Sequence, residues 1–102
     1  MNDLSVQELK TKLENKEDFI LIDVREAYEH DEFNIGGELA TLQTTLLDKI
    51  HQLKEQQDKE IVVYCRSGNR SSMAKQLLIQ AGYSNVRNLI GGMNAWKEAF
   101  SS

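Results

Sequence analysis

The residues of this chain best suited to chemistry lie in one stretch, Cys65-Arg66-Ser67-Gly68-Asn69-Arg70-Ser71. Gly68 and Asn69 tolerate positive φ better than other residue types, so the chain can curl there and turn successive N–H groups inward. Ser71 or Ser72 is expected to cap a following helix, whose N-terminus adds positive partial charge at the same place. Arg66 and Arg70 add formal positive charge. The sum is an anion cradle with a sulfur at its lip. Such surroundings favour thiolate over thiol and push the pKa of Cys65 below its usual value of about 8.5. A thiolate is both nucleophile and leaving group for sulfur. It can attack a small anionic donor such as thiosulfate or a persulfide, hold the sulfur as Cys–S–S⁻, and pass it to a thiol or to cyanide. Inward N–H groups would stabilise the terminal sulfur as they do the thiolate. No metal, flavin or other cofactor is needed. A lone cysteine at the end of an apolar strand is more often a small buried hydrophobe. The two arginines, the Gly-Asn turn and the serine-capped helix behind it reverse those odds.

Positioning that stretch is the task of alternating apolar runs and helical stripes. Ser5-Val6-Gln7-Glu8 is a capping box, with Leu4 and Leu9 at the staple positions and Val6, Leu9 and Leu13 on one face. Phe19-Ile20-Leu21-Ile22 is a continuous apolar run, the mark of a strand covered on both faces. A short charged helix is expected over 26–32, a brief strand over 38–40 and an amphipathic helix over 45–56. Ile61-Val62-Val63-Tyr64 is the strongest strand, β-branched and uncharged. Met73, Ala74, Leu77, Leu78 and Ala81 recur at helical spacing, and Gly82 is a stop signal. A further strand over 86–89 and a helix over 93–100 complete the pattern. Strands alternating with helices imply right-handed crossovers and a parallel sheet with helices on both faces. Ligands bind outside the carboxyl ends of such strands, which selects the loops after Ile22 and Tyr64.

Composition narrows the function classes. The chain has 102 residues, suited to one domain over 1–102, with 12 Lys+Arg against 16 Asp+Glu and a net charge of −4. No broad positive surface is available, so nucleic-acid binding is not expected. No apolar run approaches the ~20 residues of a membrane span, and residues 1–6 lack a secretory pattern. One cysteine excludes an internal disulfide framework and a cysteine-only metal cage, so a reducing cytoplasm is the expected location. Nothing in the helices demands a partner, and a monomer is expected.

Three segments together carry a resemblance. Asp23-Val24-Arg25-Glu26, then Tyr64-Cys65-Arg66-Ser67-Gly68-Asn69-Arg70-Ser71, then Gly91-Gly92-Met93-Asn94-Ala95-Trp96 occur in the order found in single-domain rhodaneses, the thiosulfate sulfurtransferase family. The resemblance covers about residues 4–100. It implies an α/β fold with a mostly parallel five-stranded sheet, a persulfide-carrying Cys65 and an active-site loop over 65–70. It also implies supporting roles near the site, with Asp23 orienting loop groups and Arg25 ion-paired. Gly91-Gly92 matches a turn that brings backbone close to the site, and Trp96 matches a packing position. Where many members have His-Ile-Pro-Gly-Ala, this chain has His30-Asp31-Glu32-Phe33-Asn34-Ile35-Gly36-Gly37. His30 and His51 are read as solvated surface histidines without a role.

Two other functions compete. Related folds use a cysteine-to-arginine loop for phosphatase or arsenate-reductase chemistry, but with a longer loop; here only Arg66, Ser67, Gly68 and Asn69 intervene between Cys65 and Arg70. A module that carries a persulfide to a sulfur-relay protein would use the same loop.

Overall fold

The computed structural model describes residues 3–100. Its elements run α1 (Val6–Glu14), β1 (Ile20–Asp23), α2 (Ala27–Glu32), β2 (Glu38–Leu39), α3 (Leu46–Gln52), β3 (Ile61–Tyr64), α4 (Asn69–Gln80), β4 (Val86–Asn88) and α5 (Gly92–Phe100), with a 3₁₀ turn at Lys54–Gln56 after α3. The expected capping box starts α1: Glu8 N–H donates to Ser5 Oγ at 3.1 Å and Ser5 N–H to Glu8 Oε1 at 2.9 Å. The helix expected over 45–56 divides at Leu53, whose N–H reaches back to the Lys49 carbonyl before the tighter turn begins.

The strands form one parallel sheet in the order β2-β1-β3-β4. Among the described residues it has four strands rather than the five that the resemblance implies. Leu4 supplies only a single parallel bridge to Leu89 beyond β4. The pairing does not continue past Leu4 toward the C-terminus, because Ser5 already caps α1. Period-two alternation sends Ile20, Ile22, Ile61, Val63, Cys65 and Val86 to one core, with Leu46, Ala74 and Leu78 from α3 and α4. Leu21, Val62 and Tyr64 face the other core, with Leu9 from α1 and Met93, Trp96 and Phe100 from α5. Burial on both faces is what the apolar runs of β1 and β3 require. No helix among the described residues is long and apolar enough to cross a membrane.

Register decides what meets at the carboxyl edge. Asp23 lies opposite Tyr64, and Val63 opposite Asn88. Asp23, Cys65 and Asn88 therefore end three adjacent strands at one rim of the sheet. This is the rim on which α/β sheets bind ligands.

Candidate active site

The loop after β3 turns at Gly68, where φ is +105°. Asn69 does not share that conformation: it is the first residue of α4. Ser71 is therefore not the expected cap but the third residue of the helix, and Gly68 stands at the capping position without a side chain to offer. The sulfur of Cys65 takes that place. Gly68 N–H donates to Sγ at 3.1 Å, Ser71 N–H at 3.4 Å and Ser71 Oγ–H at 3.3 Å. An acceptor that normally comes from a capping side chain here comes from the Cys65 sulfur, so the orphan amides of α4 and its dipole both act on it.

The far side of the loop is held by α5. Met93 N–H donates to the Cys65 carbonyl and Asn94 N–H to the Arg66 carbonyl, each at 2.9 Å. A Cβ on Gly92 would lie 2.4 Å from the Cys65 carbonyl oxygen, so only glycine permits this approach. The expected close backbone contact of the Gly91-Gly92 turn is thus present.

Burial raises the Cys65 pKa, whereas the Ser71 hydroxyl and the Ser71, Gly68 and Ser67 amides lower it, and the net direction is downward. Arg70 feels the charge of Cys65, but its guanidinium is clamped by Glu29 of α2 at 2.7 and 3.0 Å. Hydrogen bonds, more than arginine charge, therefore favour the thiolate. Glu29 is in turn held at about 2, first by the Arg70 hydrogen bonds. Removing the hydroxyl in Ser71→Ala is expected to raise the Cys65 pKa, since a hydrogen bond to a charged group favours the charged form, while the Ser71, Gly68 and Ser67 amides remain. The pH profile of thiol alkylation measures this; an unmoved profile would discount the hydroxyl.

Other expectations are corrected. Cys65 is not at the lip of the cradle: it is 0% exposed and belongs to the core facing α3 and α4. Arg66, Ser67 and Asn69 are exposed above it. Asp23 does not bond to loop groups. It accepts from Arg25 Nε at 2.9 Å and Nη2 at 2.8 Å, and from the Arg25 N–H at 3.0 Å. Arg25 is thus ion-paired as expected, and it also reaches the Phe33 carbonyl at 2.6 Å. His30 is not a solvated surface residue, because its Nδ1 lies 2.8 Å from Asp23 Oδ2. The inserted acidic stretch forms α2 and folds back on the strand end, which residue counting does not show. His51 is exposed, as expected, and Trp96 packs edge-on against Phe100.

Asn88 is the site residue that sequence reasoning missed. It is buried, its Oδ1 lies 2.5 Å from Ser71 Oγ and so shares with Sγ the single proton of that hydroxyl, and its Nδ2 donates to the Gly68 carbonyl at 3.1 Å. One side-chain amide therefore ties together Gly68 and Ser71, two of the residues whose N–H groups act on the sulfur. The available signal was a small polar residue on the Val86 face of an apolar strand, at its carboxyl end.

A parallel sheet with helices on both faces, a cysteine ringed by donors at its carboxyl rim and a glycine-locked helix behind it define a class of cysteine-loop α/β domains. Within that class the chain belongs to the rhodanese-like domain family, which it matches over residues 5–99. It is 33% identical to a sulfurtransferase of Allochromatium vinosum, an alignment covering 94% of this chain and 88% of that protein. It is also 33% identical to the thiosulfate sulfurtransferase GlpE of Coxiella burnetii, over 84% of this chain and 78% of that one. Against the adenylyltransferase and sulfurtransferase MOCS3 of Arabidopsis thaliana, identity is again 33% over 91% of this chain, which spans 23% of that longer protein. The structure of the human single-domain sulfurtransferase TSTD1 superposes with a TM-score of 0.83 at 25% identity, covering 97% of each chain.

Proposed function

We propose that this chain is a sulfurtransferase, working as one domain in a reducing compartment such as the cytoplasm. It moves sulfane sulfur from thiosulfate or a persulfide to a thiol or cyanide, through a persulfide on Cys65. The observation that carries this reading is the convergence of the Gly68 and Ser71 amides and the Ser71 hydroxyl on Sγ. In the first step the thiolate attacks the outer sulfur of thiosulfate, the S–S bond of the donor breaks, and sulfite leaves with the electron pair. Cys–S–S⁻ remains, so charge balances without a proton or a metal. An acceptor thiolate then takes the terminal sulfur and returns Cys65 to thiolate. Donors that stabilise the first anion also stabilise the second. Because Cys65 is buried, loading includes an opening of the loop that exposes Sγ.

A carrier role is the second reading, favoured by that same burial: a persulfide sealed beneath the loop suits delivery to a partner that opens it. The occurrence of a related unit within the larger MOCS3 protein supports a relay partner. Incubation with thiosulfate and, in parallel, with cysteine persulfide should add one sulfur atom by intact mass, and none in Cys65→Ser. Discharge of the loaded protein by cyanide or a small thiol then marks an enzyme, whereas discharge only by a protein acceptor marks a carrier. No gain from either donor, with the thiol still alkylated, overturns the sulfurtransferase reading, as would brisk phosphate-ester hydrolysis.

A further inference from the structure

The ion pair between Glu29 and Arg70 places a carboxylate where an anion-binding site would ordinarily exclude one. Glu29 is gripped through both oxygens, at 2.7 and 3.0 Å, and its side chain is only 12% exposed. Glu29 also lines a cleft of about 230 Å³ beside the loop, with Arg25, Glu32, Arg66 and Lys97 among its other walls. Of these cations, Arg25 is already matched by Asp23. Glu32 opposes Arg66 and Lys97 on the same cleft, and Glu26 lies close enough to Arg70 to act on it. An approaching donor therefore meets Arg66 and Lys97 against Glu32, while the charge of Arg70, the last residue of the loop, is already offset by Glu29. The amides and hydroxyl around Sγ can match one negative charge, and a second finds the Arg70 guanidinium already neutralised by Glu29.

We propose that Glu29 is a specificity-determining residue that selects sulfur donors by charge, so that singly charged sulfane-sulfur compounds load Cys65 in preference to doubly charged ones. The inference rests on the sulfurtransferase reading and deepens it. Glu29 acts in two ways: it engages both terminal nitrogens of the Arg70 fork, and its own charge repels a dianion more than a monoanion.

Thiosulfate and methanethiosulfonate form a matched pair of probes, since a methyl group replaces one oxyanion while the transferable sulfur is kept. Their leaving groups are sulfite and methanesulfinate, each departing with the electron pair as Cys–S–S⁻ forms. The quantity read is the ratio of second-order loading rates, thiosulfate over methanethiosulfonate, followed by intact mass. In Glu29→Gln, which keeps a side chain able to accept the Glu26 N–H, this ratio should rise about tenfold. Glu29→Asp, which shortens the clamp but keeps the charge, should stay near wild type; Glu29→Ala should move with Glu29→Gln. A ratio unchanged in both neutral variants, or shifted equally by Glu29→Asp, overturns the charge argument while leaving sulfur transfer intact. Failure of wild type to load from either compound would instead remove the sulfurtransferase reading, and this inference with it.

Discussion

Gly92→Ala is expected to destabilise the fold by more than about 3 kcal/mol and to abolish sulfur loading on Cys65. Two effects add. At φ +55° a side chain occupies the left-handed region, which costs about 1–2 kcal/mol for an ordinary residue. The new methyl would also lie 2.4 Å from the Cys65 carbonyl oxygen and 2.8 Å from the Arg66 carbonyl carbon and oxygen. Backbone on both sides cannot yield as a flexible side chain can, so α5 must withdraw from the loop. The Met93 and Asn94 amides then lose the Cys65 and Arg66 carbonyls. Gly36→Ala is the comparison, because it shares a positive φ of +95° but has nothing within 4 Å of the added Cβ. It should lose only the backbone part, about 1–2 kcal/mol. Urea unfolding of both variants, with intact mass after thiosulfate treatment, measures the difference. Equal losses at the two glycines would show that the close approach to Cys65 does not matter.

The second large effect is expected at Asn88→Ala. This substitution leaves the Ser71 hydroxyl and the Gly68 carbonyl without their side-chain partner. Neither group is left wholly unsatisfied, because the Ser71 hydroxyl can turn to Cys65 Sγ and the Gly68 carbonyl keeps its bond from the Ser72 amide. Two hydrogen bonds of roughly 0.5–1.5 kcal/mol each are lost, so a fall of about 2 kcal/mol in unfolding free energy is expected, with slower sulfur loading because the Gly68 and Ser71 amides are no longer fixed. A double-mutant cycle with Ser71→Ala separates this contact from burial alone. The two losses should fall short of additivity by about 1 kcal/mol. Strict additivity would mean that Asn88 and Ser71 act independently.

What could be read from the chain was whatever neighbouring residues decide among themselves. Ser5 and Glu8 are three apart and form the capping box they spell. The β-branched run at 61–64 becomes the central strand, and the glycine at 68 makes the bend that aims amides at sulfur. Features decided by distant partners were not legible. Glu29 and Arg70 are 41 positions apart, and Ser71 and Asn88 are 17 apart. Nothing local marks them as pairs. His30 escapes a reading from its neighbours for the same reason, since its partner Asp23 belongs to a strand and not to its own helix. Ser71 was misplaced as a cap because a serine near a helix start usually is one, whereas here Cys65 provides the acceptor. The depth of the sulfur also depended on how α4 and the sheet close around it, which spacing alone does not encode.

The borders of the sheet have a consequence for how copies of this protein behave when crowded together. On one side the outermost strand, β2, is only two residues long. On the other, the Leu4 N–H and carbonyl consume the Asn88 carbonyl and the Ile90 N–H. Neither flank offers a foreign chain a long ladder to join, so strand-by-strand polymerisation finds little template at either end.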